Sequence, residues 1–217
     1  MDIILLGDEL MVQEVKPEDT SRARAYSLWM KVPNPMITLL KTIKVTNIIR
    51  VSRKRHIKFN MLLCYCIGKA AARVKEFYLL PVGDKLIHYD RLAISVMVKN
   101  IRGGVNWCDI EYTDNLDVFN RNYLYYTAQA ARKCKDRDLS KEYMVVGSSA
   151  VVETELDGAI GMNTGIFNNP FLIWGKYKRR LFNYYLPISL QFHHTQMDGS
   201  HAGMFLERLQ RMINGLT

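Results

Sequence analysis

The sequence predicts an α/β chain of the two-layer α+β type, in which a mixed β-sheet is covered by helices. Stretches with β-branched, alternating apolar residues are typical of strands. Longer stretches with apolar residues at helical spacing are typical of helices packed on a core. The two kinds do not alternate strictly, which argues against a doubly wound nucleotide-binding fold. Since no repeat or linker interrupts the 217 residues, we expect one domain over residues 1–217.

Four segments have helical character. The first begins near Asp19 or Thr20, either of which suits an N-cap. The second begins near Asn60, another possible cap, and contains three consecutive alanines. The third is predicted to pack through Val118, Tyr125 and either Ala128 or Ala131. The predicted helices span residues 19–31, 60–77, 116–134 and 200–213.

The remaining ordered segments have strand character. Residues 36–51 are β-branched and partly alternating, which predicts one long strand. The last strand ends at two adjacent histidines. The other predicted strands span residues 86–88, 92–98, 105–112, 144–152, 173–176 and 185–193.

The composition indicates no nucleic-acid or membrane partner. The net charge is +9, but the basic residues are scattered apart from residues 50–56 and 176–180, and no nucleic-acid motif accompanies them. Basic clusters also suit a cofactor that carries phosphates. No run of 18 apolar residues suggests a membrane span, and the apolar residues 3–6 lack the basic start of a signal peptide. The four cysteines have neither zinc-binding nor redox spacing, so we expect a cytoplasmic protein.

The most informative motif is Gln-Phe-His-His-Thr-Gln-Met-Asp-Gly at residues 191–199. Histidine is the side chain best suited to move a proton near neutral pH. Because side chains alternate along a strand, His194 continues the apolar face of Phe192, and His193 lies on the polar face. Apolar surroundings keep an imidazole neutral and able to accept a proton. His194 is therefore the candidate general base, unless it is a hydrogen-bonded core histidine.

This motif resembles the active-site signature of the chloramphenicol acetyltransferase family, among the coenzyme A-dependent acyltransferases with a His-His-x-x-x-Asp-Gly motif. Further segments resemble the family in the same order along the chain. Residues 20–29 resemble its first helix, residues 148–158 its serine strand and Asp-Gly turn, and residues 175–177 its Gly-Lys-aromatic segment. The resemblance covers most of residues 19–215 and is weak over residues 90–140.

The resemblance implies a catalytic set around His194. The family transfers an acetyl group from acetyl-coenzyme A directly to a hydroxyl of a small molecule, with histidine as general base. It implies Ser149 as the oxyanion donor, with Ser148 as the alternative left open by the upstream spacing. Asp198 is implied to pair with an arginine and hold the histidine loop. Arg22 matches that arginine, and Arg24 is the alternative.

The resemblance also implies cofactor and acceptor contacts. Lys58 and Lys176 match basic positions near the phosphates of coenzyme A, and Tyr177 matches an aromatic residue near its adenine. Leu28, Trp29 and Ile173 match the acceptor pocket. There the sequence departs from the family, because Trp29 replaces a tyrosine, Ile173 replaces a threonine, and residues 151–153 replace a proline-tryptophan pair. We therefore expect acyl transfer, and we leave open whether chloramphenicol is the acceptor and antibiotic resistance the purpose.

The expected assembly is a homotrimer with active sites at subunit interfaces, as the resemblance implies. An inactive relative that binds a ligand is the alternative function. A third hypothesis is a metal site formed by His193, His194, Asp198 and His201. We expect no metal, because adjacent histidines on a strand point to opposite faces and do not easily share one ion.

Overall fold

A computed structural model describes residues 12–161 and 167–217. This part of the chain forms five α-helices and ten strands. The helices are α1 (Ala23–Trp29), α2 (Thr46–Arg55), α3 (Phe59–Ala71), α4 (Leu116–Lys133) and α5 (Gly199–Asn214). The strands are β1 (Val12–Glu14), β2 (Met36–Lys44), β3 (Leu79–Val82), β4 (Lys85–Tyr89), β5 (Leu92–Lys99), β6 (Val105–Glu111), β7 (Met144–Ala150), β8 (Phe171–Trp174), β9 (Lys178–Arg180) and β10 (Asn183–His193). The 3₁₀ helices Pro17–Asp19 and Lys75–Tyr78 complete these elements.

The main sheet is mixed, as predicted. Its strand order is β2-β10-β8-β7-β5-β6, with β9 paired to β10, and β1, β4 and β3 form a smaller antiparallel sheet. In the main sheet β7 runs parallel to both β5 and β8, whereas the other pairs are antiparallel. β10 lies between β2 and β8; β8 pairs with it as far as Gln191, and β2 pairs with it to its end at His193.

The core lies between this sheet and the helices. In β10 the alternating residues Leu186, Ile188, Leu190 and Phe192 are at most 1% exposed. They belong to one apolar cluster with buried residues of α2, α3, α4 and α5. Because α3 lies between the sheet and other helices, it is apolar nearly all round. This arrangement confirms the predicted layer of helices over a mixed sheet.

The predicted strand 36–51 is wrong beyond Lys44. The strand ends there, and α2 begins at Thr46 although its first half is rich in β-branched residues. Ile48, Ile49 and Val51 are buried by this helix. Helix α2 ends at His56 in the left-handed conformation, with three basic residues in its last turn. Burial of these side chains, the left-handed C-cap and the basic residues near the helix C-terminus thus outweigh the strand propensity of this segment.

Several element boundaries also differ from the predictions. The second predicted helix ends at Ala71 and is followed by the 3₁₀ helix Lys75–Tyr78. Strands β1, β3 and β9 are short and had no predicted counterpart. In α4 the buried residues are Phe119, Tyr123 and Ala130, whereas Tyr125 is 60% exposed, so the predicted packing face is wrong.

No helix in the described part of the chain is long and apolar enough to cross a membrane. The apolar run at residues 3–6, which was compared with a signal peptide, lies outside the described residues.

Candidate active site

The histidine motif lies where β10 meets α5. β10 ends at His193, residues 194–198 form a turn, and α5 begins at Gly199. The turn is attached at its start because the backbone N–H of His194 donates to the carbonyl oxygen of Pro35 at 2.8 Å. The N–H groups of Gln196 and Met197 donate to the carbonyl oxygen of His193 at 3.0 and 3.2 Å. The position of His194 is therefore set by a sheet, a helix and a tight turn.

Arg22 anchors the inner side of this turn. Its Nη2 donates to the carbonyl oxygen of His194 at 2.9 Å, and its Nε donates to that of Thr195 at 3.0 Å. Its Nη1 donates to Oδ2 of Asp198 at 3.0 Å. Arg22 is only 4% exposed, whereas the alternative partner Arg24 is exposed. One buried guanidinium thus connects α1 to three points of the histidine turn.

Asp198 joins the turn to α5. It is the N-cap of this helix, and its Oδ1 accepts from the backbone N–H and the hydroxyl of Ser200 and from the N–H of His201. Burial raises the pKa of the Asp198 carboxyl, but the hydrogen bonds from Ser200, Arg22 and His201 outweigh it and lower the pKa well below its usual value. Asp198 therefore stays ionised and holds both Arg22 and the helix start.

The two histidines have different surroundings. His193 is 3% exposed, and its Nδ1 accepts from the N–H of Thr195 at 3.1 Å. Burial, and next the neighbouring His194, lower the pKa of His193 to about 4. His194 lies beyond the end of the strand and is half-buried. The prediction that His194 continues the apolar face is therefore wrong, because β10 ends before it, whereas His193 is the last residue of the strand and points away from Phe192.

The imidazole of His194 stacks on the indole of Trp29. Their ring centroids are 4.4 Å apart and the ring planes differ by 7°. Trp29 is the last residue of α1, the helix that follows Arg22. Nδ1 of His194 is buried and has no hydrogen-bond partner among the described residues. Trp29 thus covers one face of the ring and, with the turn, restricts its orientation.

The two candidate serines occupy opposite faces of β7. The hydroxyl of Ser148 donates to the carbonyl oxygen of Ser95 at 2.7 Å and lies 3.8 Å from Sγ of Cys64 in α3, so Ser148 faces the helices. Ser149 is half-buried on the other face. It pairs with Ile173 on β8, and Ile173 pairs with Ser189 on β10. Of the two, Ser149 is therefore the serine outside the core.

Two of the residues matched to coenzyme A, Lys58 and Tyr177, lie at the start of α3. Lys58 occupies the N-cap position, and no side chain caps the helix. Tyr177 packs against Phe59, with ring centroids 5.2 Å apart. Lys176 is exposed, and its N–H donates to the carbonyl oxygen of Thr154 at 2.7 Å. Asn60, predicted as a possible cap, instead accepts a hydrogen bond from the indole of Trp174 at 3.3 Å.

Gly175 allows the close approach that positions this lysine. A Cβ atom at Gly175 would lie 2.8 Å from the backbone oxygen of Thr154 and the backbone nitrogen of Leu156. Because backbone atoms cannot give way as a flexible side chain can, a larger residue would push the two segments apart.

Some site residues differ from what the sequence predicted, either in position or because the sequence did not indicate them. Leu28 is 55% exposed on α1, whereas its neighbour Trp29 contacts His194. The sequence considered His201 only as a metal ligand, but it contacts both Asp198 and Glu76. Glu76 carries no motif and was not predicted. Within the described ranges, no group of three or more His, Cys, Asp or Glu residues is arranged to hold a metal ion.

A family model described as chloramphenicol acetyltransferase matches residues 13–210. The chain belongs to the chloramphenicol acetyltransferase family. It is therefore an enzyme, a coenzyme A-dependent acyltransferase, and an acyl-coenzyme A is its co-substrate.

The individual relatives are distant. The chain is 25% identical over 208 residues to a chloramphenicol acetyltransferase of Clostridium perfringens, covering 91% of this chain and 92% of that protein. It is 25% identical over 169 residues to chloramphenicol acetyltransferase 2 of Escherichia coli, covering 73% of this chain and 76% of that protein. A solved structure described as chloramphenicol acetyltransferase superposes with a TM-score of 0.82 at 18% identity, covering 94% of this chain and 100% of the other. At that identity the structural likeness shows the fold alone.

Proposed function

We propose that this protein transfers an acetyl group from acetyl-coenzyme A to a hydroxyl group of a small molecule, with chloramphenicol as one candidate acceptor. The observation that carries the proposal is the placement of His194. Its ring is stacked on Trp29, and its backbone is held by Arg22 at the start of a helix capped by Asp198. Such restraint holds a base in position for proton transfer, which is worth about 10²–10⁴ in rate.

In the proposed mechanism the acceptor hydroxyl attacks the thioester carbonyl directly. Because Nδ1 of His194 is buried, Nε2 is the nitrogen that accepts the hydroxyl proton. The oxygen–carbon bond forms and gives a tetrahedral intermediate, whose oxyanion accepts a hydrogen bond from Ser149. The carbon–sulfur bond then breaks, and the imidazolium returns its proton to the departing thiolate. No acyl-enzyme forms, and the imidazole is neutral again at the end of each turnover.

We propose that coenzyme A binds across the start of α3. The uncapped backbone N–H groups of this helix attract a phosphate, and Lys58 adds positive charge at its N-cap. Lys176 adds a second positive charge next to Tyr177, which packs on Phe59 of the same helix. Tyr177 offers an aromatic surface for the adenine. The acyl chain then extends toward His194.

The acceptor pocket is proposed to include Trp29, Ile173 and, more peripherally, Leu28. Trp29 and Ile173 carry no hydroxyl group, so fewer polar contacts orient the acceptor than in the family pattern. The acceptor is then selected more by shape than by hydrogen bonds. This supports a broad or altered choice of alcohol.

We propose that the active site is shared between two copies in a homotrimer. Ser149, Ile173 and Ser189 are level across three strands, and His194 lies five residues beyond Ser189. Strand spacing then separates Ser149 from His194 of the same chain by roughly 15–20 Å, which is too far for one acceptor. The exposed side chains of Leu40 and Trp107 support burial of the helix-free face against another copy.

The domain organisation and the cellular compartment are also part of the proposal. We propose that residues 1–217 act as one acyltransferase domain in the cytoplasm, where the cysteines at positions 64, 66, 108 and 134 remain as free thiols.

The acceptor is tested by incubating the protein with acetyl-coenzyme A and either chloramphenicol or a panel of alcohols and amines. Mass spectrometry identifies the acetylated products. An O-acetylated chloramphenicol supports the proposal in full, and a product with another alcohol only replaces the acceptor. If no acceptor is acetylated by protein that binds coenzyme A, a ligand-binding role replaces catalysis.

The shared site is tested by subunit mixing. His194→Ala and Ser149→Ala variants, each nearly inactive, are dissociated and reassembled together. If sites form between copies, some sites in mixed trimers contain both intact residues, and activity returns. A mixture that exchanges subunits but stays inactive would refute a site built from two chains.

A further inference from the structure

We propose that His201 and Glu76 form a second tether, independent of Arg22, that positions the His194 turn for catalysis. Nε2 of His201 lies 3.3 Å from Oε1 of Glu76. Nδ1 of the same ring accepts a hydrogen bond from the backbone N–H of Asp198 at 3.3 Å. The ring thus bridges Asp198 to a part of the chain that precedes it by more than 100 residues. The proposal rests on the proposed function of His194 as the base.

The bond pattern assigns the roles of the two ring nitrogens. When Nδ1 accepts from the Asp198 N–H, a neutral ring carries its proton on Nε2 and donates it to Glu76. Nδ1 also lies 3.0 Å from Oδ1 of Asp198. His201 therefore connects Asp198 to Glu76 through both of its ring nitrogens.

Glu76 is attached to a rigid part of the fold. It lies in the 3₁₀ helix Lys75–Tyr78, next to Phe77, which is fully buried and packs with a tilted ring against Phe205 of α5, with centroids 4.8 Å apart. The side chains of His201 and Glu76 are 19% and 12% exposed, so water competes little for their contact. A partner fixed in this way restricts His201 more than a flexible surface carboxylate would.

The tether closes a ring of polar contacts around the turn. The hydroxyl of Ser21 donates to Oε1 of Glu76 at 3.3 Å, and Ser21 directly precedes Arg22. Arg22 holds Oδ2 of Asp198, and His201 holds the Asp198 backbone N–H. Asp198 is thereby fixed through both its side chain and its backbone. Since His194 lies four residues before Asp198, loss of the second tether lets the turn shift even when the Arg22 bonds remain.

The test compares His201→Ala, His201→Gln and Glu76→Ala with wild type. Glutamine is a usual partner at this position of a capping box, because its amide accepts from the N-cap N–H and can donate to Glu76. Glu207→Ala is the matched control, since it removes an exposed ion pair between α5 and Lys41. Hydrogen exchange of backbone amides 194–198 and the kcat for acetyl transfer are measured below the onset of unfolding.

We expect His201→Ala and Glu76→Ala to speed exchange of these amides by about three- to tenfold, as loss of a helix-cap contact does. The kcat should fall by a similar or larger factor at unchanged KM for acetyl-coenzyme A. His201→Gln should restore most of both properties, and Glu207→Ala should change neither. If His201→Ala is folded and exchanges like the control, or if it lowers only the melting temperature, the tether is refuted. Exchange is measured without substrate, so this outcome is distinct from an absence of transferase activity.

Discussion

Replacing Arg22 by lysine keeps the positive charge but removes the fork that holds the histidine turn. Three guanidinium nitrogens bind the carbonyl oxygens of His194 and Thr195 and the carboxylate of Asp198. A single ammonium group cannot reach all three acceptors in this geometry. Losing two bonds from a charged donor costs roughly 3–6 kcal/mol. Asp198 is 37% exposed, so water offsets part of this loss, and about 2–4 kcal/mol is the better expectation.

The assay is thermal unfolding together with acetyl transfer. For a chain of this size the melting temperature falls by about 2–4 °C per kcal/mol, which predicts a decrease of roughly 5–15 °C. A turn displaced by about 1 Å lowers turnover by about a hundredfold. Arg24→Lys, an exposed change on the same helix, is the control and should behave as wild type. If Arg22→Lys melts and turns over like Arg24→Lys, the proposed anchoring of the turn is refuted.

Five other substitutions test the roles of the remaining site residues. The pKa of His193 is about 4 in the folded protein, below its ordinary value, so the unfolded state binds more protons between about pH 6.5 and pH 4. Stability should fall by up to about 3 kcal/mol as the pH drops through this range, and His193→Gln should remove most of this slope in urea titrations. The pKa of the Asp198 carboxyl is also lowered, so its contribution to the stability of the folded protein is present above about pH 4 and is lost at lower pH. Asp198→Asn should lack this acid transition and should also reduce both the melting temperature and turnover. Ser149→Ala should lower kcat by about 10²–10³ at unchanged melting temperature. Ser148→Ala should cost about 1 kcal/mol of stability at unchanged kcat. If instead Ser148→Ala lowers kcat and Ser149→Ala lowers only stability, Ser148 is the oxyanion donor. Lys176→Ala should raise the KM for acetyl-coenzyme A, most strongly at low salt, and leave kcat unchanged.

The parts of the fold with a clear local pattern were predictable from the sequence. The strands predicted at residues 92–98 and 185–193 match β5 and β10 closely. The exception is α2, whose β-branched residues favour a strand but form a helix because three of them are buried together. Burial against distant elements is not encoded in local periodicity, so this helix required the tertiary structure.

Only part of the candidate site was likewise predictable from the sequence. His194 and Asp198 are four residues apart, and the motif identified both. The stacking of Trp29 on His194 joins residues far apart in sequence, and the sequence indicated only a pocket role for Trp29. The face of β7 that carries Ser149 follows from its register with β5 and β8 rather than from residue type. Glu76 lies on a 3₁₀ helix within a segment predicted as α-helix, so nothing in the pattern indicated its contact with His201.

The role of His194 as general base is tested most directly by the rate at which wild type and His194→Ala release the coenzyme A thiol from acetyl-coenzyme A, with an accepted alcohol present. Calorimetric titration of the same preparations with coenzyme A shows whether the variant still binds the cofactor. We expect His194→Ala to lose about 10²–10⁴ in kcat with unchanged coenzyme A affinity. Acceptor-dependent thiol release by His194→Ala at the wild-type rate would contradict it.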